Sequence, residues 1–298
     1  MLLNQYPELN NFIDYLRFEK RYSQHTIISY QNDLQQFFAF LKSAFDSTSV
    51  SEISASMIRS WLAEMKENRY TAKSINRKIS TLKSFFKFLC KQGIIKQSPV
   101  STIVAPKNNK RLPSFINEKE TDHLFNVISF STDHVGKTEQ LILSLFYSTG
   151  IRLSELINLK EEQLDANNCT IKVLGKGNKE RIIPIHKNLL QQLILLQKNK
   201  PQNSIKNSFI FVNKKGLPLY PKYVYNLVKK YLSGVTTIER KSPHVLRHTF
   251  ATHLMNNGAN LNAVKELLGH ASLASTQVYT HNTIENLKNI YKKAHPKA

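Results

Sequence analysis

Apolar residues recur every three or four positions through the first hundred residues, the spacing that lines one side of an α-helix. This periodicity predicts helices over residues 8–20, 24–42, 54–65 and 71–92. No segment of this region alternates apolar and polar residues as a half-buried strand does. We therefore expect an all-helical first domain over residues 1–106.

The fourth of these helices has two opposed faces. Its apolar stripe comprises Ile75, Ile79, Leu82, Phe86 and Leu89, and the opposite face carries Lys73, Arg77, Lys87 and Lys91. Eleven basic residues and no acidic residue lie between Glu67 and Glu118. A single lysine-rich helix is usually a solvated surface, but this long interval without an acid favours a helix that faces DNA.

A second domain is expected over residues 107–298, because the proline-bounded, polar stretch 99–113 is typical of a linker. Its pattern predicts helices over 118–129 and 137–148, then a hairpin with strands at 170–174 and 181–185, and another short strand at 209–212. Further helices are predicted to begin near Tyr220, Pro243, Leu261 and Ser275. The expected fold class is mainly α with a small antiparallel β-sheet.

Charge narrows the class of partner. The 298 residues include 42 Lys and Arg against 21 Asp and Glu, a formal net charge of +21 that is typical of proteins binding a polyanion. Cys90 and Cys169 form no ligand-like pair, which suits a reducing compartment. The chain shows neither a signal peptide nor the roughly 18 uninterrupted apolar residues of a membrane span. We expect a cytoplasmic protein, without membrane contact, whose partner is nucleic acid.

Histidine and arginine are concentrated in the stretch SPHVLRHTFATH, residues 242–253. Its first two residues, serine and proline, predict a helix start with a serine N-cap. His244, Arg247 and His248 are then three or four positions apart and share one face. His253 falls on the opposite, apolar side, where we expect it to pack in the core.

Two interpretations of this face compete. A zinc site would need a third ligand and a carboxylate base beside His244 and His248, but residues 201–298 contain three acidic residues against fourteen Lys and Arg. Phosphodiester cleavage by metal ions likewise needs clustered carboxylates. A phosphate clamp fits better, because Arg247 can hold two phosphate oxygens and a helix N-terminus favours an anion. We expect no metal and no cofactor.

Three other segments carry candidate chemistry. In STGIRLSEL, Arg152 begins a short helix and Glu155 is spaced to orient its guanidinium, although a surface ion pair of little energetic value is the alternative. In LGKGNKER, Lys176 lies at the turn of the predicted hairpin, and the segment is too short for a nucleotide-binding P-loop. In LGHASLASTQVYTH, Tyr279 follows His270 by nine residues.

Together these segments resemble the tyrosine recombinase (phage integrase) family, whose catalytic set is Arg, Lys, His-x-x-Arg, His and Tyr in chain order. The matching positions are Arg152, Lys176, His244, Arg247, His270 and Tyr279. The first hundred residues and the ending KKAHPKA are similar to Xer-type members, and no additional arm-binding domain is expected. The resemblance implies a helical core-binding domain (1–106) and a catalytic domain (107–298) that form a C-shaped clamp around DNA.

The family's chemistry implies a role for each matching residue. Tyr279 would attack the scissile phosphate and form a 3′-phosphotyrosyl bond. The other roles would be bracing of the phosphate by Arg152 and Arg247, protonation of the leaving 5′-oxygen by Lys176, acid–base exchange by His244 and a phosphate hydrogen bond from His270. The helix over 71–92 would enter the major groove, and contacts to the DNA backbone on the catalytic side would come from Lys214, Lys215, Lys222 and Lys229.

Partners also follow from the resemblance. They are a double-stranded recombination site, a homo- or hetero-tetramer with a second recombinase, and a DNA translocase of the FtsK type. A terminal helix over 283–293 would dock on a neighbouring protomer or on its own domain. The expected function is Xer-type resolution of chromosome or plasmid dimers. The alternatives are an integrase or transposon recombinase of a mobile element, a type IB topoisomerase-like enzyme, and a DNA-binding protein that does not cleave.

Overall fold

The computed structural model describes residues 6–46, 49–107, 114–175, 180–201, 209–269, 291 and 293–296. The chain divides into two compact units, Met1–Arg111 and Leu112–Ala298. In the described part of the first unit the helices are α1 (Pro7–Asp14), continued by a π-helical turn (Tyr15–Glu19), α2 (Gln24–Phe45), α3 (Ala55–Glu67) and α4 (Ala72–Lys91). The four helices predicted from the apolar periodicity are therefore confirmed.

Polar caps set where these helices begin. The side chains of Ser23, Ser54 and Thr71 each accept a hydrogen bond from a backbone N–H in the first turn of α2, α3 and α4 respectively. The predicted apolar stripe of α4 is buried, with Ile75 the most exposed member at 6%. The four basic side chains predicted for the opposite face are exposed. The two-faced character of α4 is thus confirmed.

Acidic residues do reach the basic side of α4, contrary to the expectation from the sequence interval. Asp33 of α2 is buried and accepts hydrogen bonds from Lys78 at 2.8 Å and Arg77 at 2.5 Å. Glu19, in the π-helical turn after α1, lies 3.8 Å from the ammonium of Lys91. Helix packing brings these carboxylates beside α4 from positions more than forty residues earlier in the chain. Part of the basic charge of α4 is therefore neutralised.

The described part of the second unit contains helices of five to sixteen residues and a small sheet. Its elements are α5 (Glu118–Asp122) with a following π-helical turn (His123–Val127), α6 (His134–Thr149), α7 (Leu153–Ile157), β1 (Leu164–Asp165), β2 (Thr170–Leu174), β3 (Glu180–Pro184), α8 (Lys187–Lys198), α9 (Pro221–Ser233), α10 (Pro243–Asn256) and α11 (Leu261–Leu268). The helix starts predicted near Tyr220, Pro243 and Leu261 are confirmed, whereas the one near Ser275 lies outside the described residues. The mainly α fold class is confirmed.

The sheet is antiparallel in the order β1–β2–β3, and β2 pairs with β3 as the predicted hairpin. Val173 lies opposite Arg181 in this register. The strand predicted over 209–212 is wrong. Phe209 and Val212 form isolated bridges with two different segments, so no continuous ladder develops between them.

The end of the chain is anchored on the second unit. Tyr291 and Ala294 are buried in an apolar cluster with side chains of α10 and α11. The side chain of Asn257 donates a hydrogen bond to the carbonyl oxygen of Ala294 at 3.0 Å. Most of the predicted terminal helix over 283–293 lies outside the described residues. The described part packs against its own domain.

Candidate active site and DNA interface

A tight turn after α6 opens the site. Gly150 ends this helix in the left-handed conformation (φ +58°), and its N–H donates to the carbonyl of Phe146 at 3.0 Å. A Cβ at this position would lie 2.6 Å from the ring of Phe250 and 2.7 Å from the side chain of Leu268. The turn therefore needs glycine for both its backbone angle and its close packing. Its carbonyl oxygen accepts a hydrogen bond from the guanidinium of Arg247.

Arg152 follows this turn and precedes α7. Its Nη1 donates to Oε1 of Glu155 at 2.7 Å, and its backbone N–H donates to Oε2 at 2.8 Å. Its Nη2 donates to the carbonyl oxygen of Gly269 at 2.8 Å. The predicted orientation of Arg152 by Glu155 is confirmed. The surface ion pair alternative is wrong, because the Glu155 side chain is only 2% exposed.

Arg247 projects from α10 and is 7% exposed. Its Nη1 binds the carbonyl of Gly150, and its Nη2 donates to the carbonyl of Leu268 at 2.6 Å. Burial, followed by the charges of Arg152 and Arg181, lowers the pKa of Arg247 to about 9. Its positive charge is thus held in a site that already carries two other cations. An anion bound here would relieve that repulsion.

Arg181 is a member of the site that the sequence analysis placed only in a strand. It projects from β3, is 3% exposed, and donates through Nη1 and Nη2 to the two carboxylate oxygens of Glu155, each at 2.7 Å. One signal in the sequence could have identified it. Residues two positions apart in a strand point to the same face, so Arg181 shares a face with Ile183 and Ile185. The sequence therefore places a charged residue on the buried face of the strand.

Arg152 and Arg181 bind Glu155, and the charge of Arg247 interacts with all three; we call these four residues the arginine cluster. Burial alone would raise the pKa of the Glu155 carboxyl, but hydrogen bonds and positive charge from Arg181 and Arg152 hold it at about 2. Two guanidiniums thus bind one ionised carboxylate, and the guanidinium of Arg247 interacts with its charge without bonding to it. Successive carbonyl groups at the end of α11 bind the three guanidiniums: Leu267 accepts from Arg181, Leu268 from Arg247 and Gly269 from Arg152. Because a helix C-terminus is the negative end of its dipole, it suits this positive group.

The histidines of α10 differ in their surroundings. His244 is exposed in the first turn of the helix, and His248 is half-buried, with a pKa lowered by burial. His253 is 1% exposed and its Nδ1 lies 3.1 Å from the hydroxyl of Tyr147, so the expectation that it packs in the core is confirmed. Ser242 occupies the N-cap position, but its side chain makes no capping hydrogen bond. That part of the helix-start prediction is wrong.

Three of the six predicted catalytic residues lie within the described part of the chain. The structure brings Arg152 and Arg247 together on adjacent carbonyl groups and places His244 one turn before Arg247 on α10. Lys176, His270 and Tyr279 lie outside the described residues. The predicted DNA contacts on the second unit are exposed: Lys214, Lys215, Lys222 and Lys229.

A groove of about 370 Å³ lies between α2 and α4 of the first unit, and Arg77, Ser29 and Ser80 are among the residues that line it. Within the described ranges, no group of three or more His, Cys, Asp or Glu side chains could hold a metal ion. The same ranges contain no helix with the length and apolar character needed to cross a membrane.

Comparison with known proteins defines the class. The model of the phage integrase family matches residues 114–286, and that of the phage integrase N-terminal SAM-like domain matches residues 9–93. A tyrosine recombinase XerC from Bacillus licheniformis is 40% identical over 298 residues, which cover 97% of this chain and 96% of the relative. The XerC of Anoxybacillus flavithermus is 38% identical over 295 residues, with 97% and 98% coverage. The chain therefore belongs to the phage integrase family of tyrosine recombinases.

Solved structures share the fold. The Tn1549 transposon integrase in complex with transposon right end DNA superposes with a TM-score of 0.71 at 20% identity, over 95% of this chain and 98% of the integrase. The XerH site-specific recombinase bound to palindromic difH substrate gives a TM-score of 0.70 at 24% identity. The match covers 99% of this chain and 84% of the XerH chain. The protein is accordingly a tyrosine-type site-specific recombinase, an enzyme that breaks and rejoins DNA strands.

Proposed function

We propose that this recombinase is of the Xer type and resolves chromosome or plasmid dimers in the cytoplasm. Its catalytic set would be Arg152, Lys176, His244, Arg247, His270 and Tyr279. The observation that best supports this assignment is the arginine cluster. Two arginines expected to hold the scissile phosphate, Arg152 just before α7 and Arg247 on α10, bind adjacent carbonyl groups.

The cluster has the charge and the donors that a phosphate needs. The cluster holds three guanidiniums and one carboxylate, and the two hydrogen bonds of Arg247 to carbonyl groups use two of its five N–H donors. Negative charge grows on the non-bridging oxygens as the phosphorus becomes pentacoordinate. Fixed cations held in place before the reaction stabilise that charge without reorganising. Arg152 and Arg247 would therefore act mainly in the transition state.

The covalent step needs a proton acceptor and a proton donor. A phenol of ordinary pKa is about a thousandth ionised at neutral pH, so forming the nucleophile from Tyr279 costs about 4 kcal/mol. The exposed imidazole of His244 would accept the phenol proton as the oxygen of Tyr279 bonds to phosphorus. The bond from phosphorus to the 5′-oxygen would break, with Lys176 supplying the proton and His270 a hydrogen bond. The phosphotyrosyl bond conserves the energy for rejoining, so no ATP is required.

Two exposed basic surfaces would hold the duplex. In the first unit, α4 would enter the major groove, with contacts from Lys73, Arg77, Lys87 and Lys91. Asp33 holds the guanidinium of Arg77 at the groove between α2 and α4. This supports a contact in which Arg77 is already positioned for a DNA phosphate before the DNA binds. The four exposed lysines of the second unit would contact the backbone. The clamp shape, the tetramer, the second recombinase and the FtsK-type translocase stay predictions from the resemblance.

A nicked suicide duplex that carries the recombination site tests the mechanism. In EDTA, we expect the wild-type protein to form a denaturant-stable adduct on the 3′-phosphate. Tyr279→Phe should abolish the adduct, and Tyr220→Phe, at an exposed tyrosine, should not. A metal requirement, or an adduct that persists in Tyr279→Phe, would contradict the proposal. Recombination between two sites, rather than relaxation alone, separates it from the topoisomerase alternative.

A further inference from the structure

We propose that Arg181 is a positioning residue for the reaction, an inference that rests on the phosphate-binding roles proposed for Arg152 and Arg247. Arg181 keeps Glu155 from neutralising Arg152, and it holds the end of α11 in place. With 3% exposure Arg181 does not itself reach the DNA. Its effect passes through the groups that it binds.

The first part of the argument is charge. The guanidinium of Arg181 covers both oxygens of the Glu155 carboxylate at 2.7 Å, while Arg152 bonds to one of them through its Nη1. Without Arg181, the ionised carboxylate would pair one-to-one with Arg152 and cancel its charge. With Arg181 present, Glu155 orients Arg152 and the cluster still carries excess positive charge for a phosphate.

The second part is packing. Nε of Arg181 donates to the carbonyl of Leu267 at 3.0 Å, which ties β3 to the end of α11. The chain passes directly over this side chain, because a Cβ on Gly269 would lie 2.9 Å from Cδ of Arg181. The next two carbonyl groups, of Leu268 and Gly269, are those that bind Arg247 and Arg152. A shift of Arg181 therefore moves the groups that orient both phosphate-binding arginines.

The location of Arg181 supports a functional reason for its burial. It lies on the inward side of β3 opposite the buried Val173, where an apolar residue would fit the register. Burying a guanidinium is costly unless its donors are satisfied, and three of its N–H groups are used on Glu155 and Leu267.

Single-turnover cleavage of the nicked duplex at saturating DNA, normalised to the active fraction, provides the test. We expect Arg181→Met to lower the cleavage rate constant by roughly ten- to a hundredfold while the Kd for DNA changes less than about threefold. The cleavage rate constant of Arg181→Lys should lie between those of the wild type and Arg181→Met. The matched control is Lys172→Met, which removes the same charge from an exposed pair with Glu180 on the same hairpin. Its rate constant should equal that of the wild type.

A second substrate separates positioning from loss of fold. A methylphosphonate at the scissile position removes the charge of one non-bridging oxygen, so the benefit of the arginines should shrink. The defects of Arg181→Met and Arg152→Ala should therefore both be smaller on this substrate. Adding Glu155→Gln to Arg181→Met should restore part of the rate, since it frees Arg152. If Arg181→Met folds poorly, Arg181→Lys is compared on the same two substrates.

The outcomes distinguish the two proposals. An Arg181 variant that cleaves at the wild-type rate while Arg152→Ala is impaired would overturn the positioning role and leave the proposed function intact. An equal Arg181 defect on both substrates would also overturn it, because loss of structure does not depend on phosphate charge. Wild-type cleavage by Arg152→Ala would instead refute the proposed role of Arg152.

Discussion

Arg152 donates a hydrogen bond at 2.8 Å to the carbonyl oxygen of Gly269, 117 positions later in the chain. The bond joins the start of α7 to the end of α11. The last carbonyl groups of any helix lack partners within the helix, and here arginines supply them. Arg152 and Arg247, the two arginines that we propose bind the phosphate, are each held by one carbonyl group at this helix end.

Gly150→Ala should lower both stability and cleavage. Its left-handed angle costs any other residue about 1 kcal/mol, and the new Cβ would also collide with Phe250 and Leu268. Gly258→Ala is the matched control, because Gly258 has φ +85° and open space around its Cβ position. Thermal unfolding should show a clearly larger loss of stability for Gly150→Ala than for Gly258→Ala. Equal losses in the two variants would mean that the contacts around Gly150 contribute nothing.

Arg247→Lys should lower the single-turnover cleavage rate at least a hundredfold. A single ammonium cannot bind the carbonyls of Gly150 and Leu268 and still present a fork to phosphate. Arg240→Lys, at an exposed position, is the control and should cleave normally. Retention of activity in Arg247→Lys would show that only the charge at this position matters.

Glu155→Gln should flatten the acid limb of the stability profile. Because the folded-state pKa of Glu155 is lowered from 4.5 to about 2, its contribution is complete above pH 4.5 and is lost as the pH falls towards 2. The shift corresponds to roughly 3 kcal/mol. Free energies of unfolding measured across this pH range should fall less steeply in Glu155→Gln. The exposed Glu180→Gln should follow the wild-type curve, and a wild-type slope in Glu155→Gln would contradict the pKa assignment.

Lys73→Ala combined with Lys87→Ala should weaken binding to the site and reduce its salt dependence. Each lost phosphate contact lowers the slope of log K against log salt by about 0.9, so the pair should lower it by about 2. Lys42→Ala with Lys66→Ala removes the same charge from exposed positions on α2 and α3. Titrations at several salt concentrations should leave the slope of this control unchanged. An unchanged slope in the Lys73 and Lys87 variant would show that α4 does not face DNA.

Periodicity was sufficient to predict most helices. Ser54, Thr71 and Gly150 mark helix ends by local chemistry, which the sequence contains in full. The strand predicted over 209–212 failed because its two ends pair with separate segments: Phe209 with Lys160, 49 positions earlier, and Val212 with the nearby Pro218. Local pattern cannot reveal which segment lies beside a short apolar run.

The site was predictable in its residue types but not in its charge balance. The spacing of Arg152 and Glu155 predicted their contact, whereas Arg181 joins them from a strand 26 positions later. Asp33 likewise reaches Lys78 from another helix, so counting acids along α4 gave the wrong local charge. Electrostatic balance depends on distances in space, and helix packing sets those distances.

The anchoring of the chain at both Gly269 and Tyr291 has a consequence for the proposed nucleophile. Tyr279 lies ten residues after the first anchor and twelve before the second, so the chain cannot carry it farther than about 35 Å from Gly269. A group confined to that radius has an effective concentration in the millimolar range, far above that of recombinase molecules arriving by diffusion. The chain itself therefore limits how far the proposed nucleophile can lie from the arginines that would receive the phosphate.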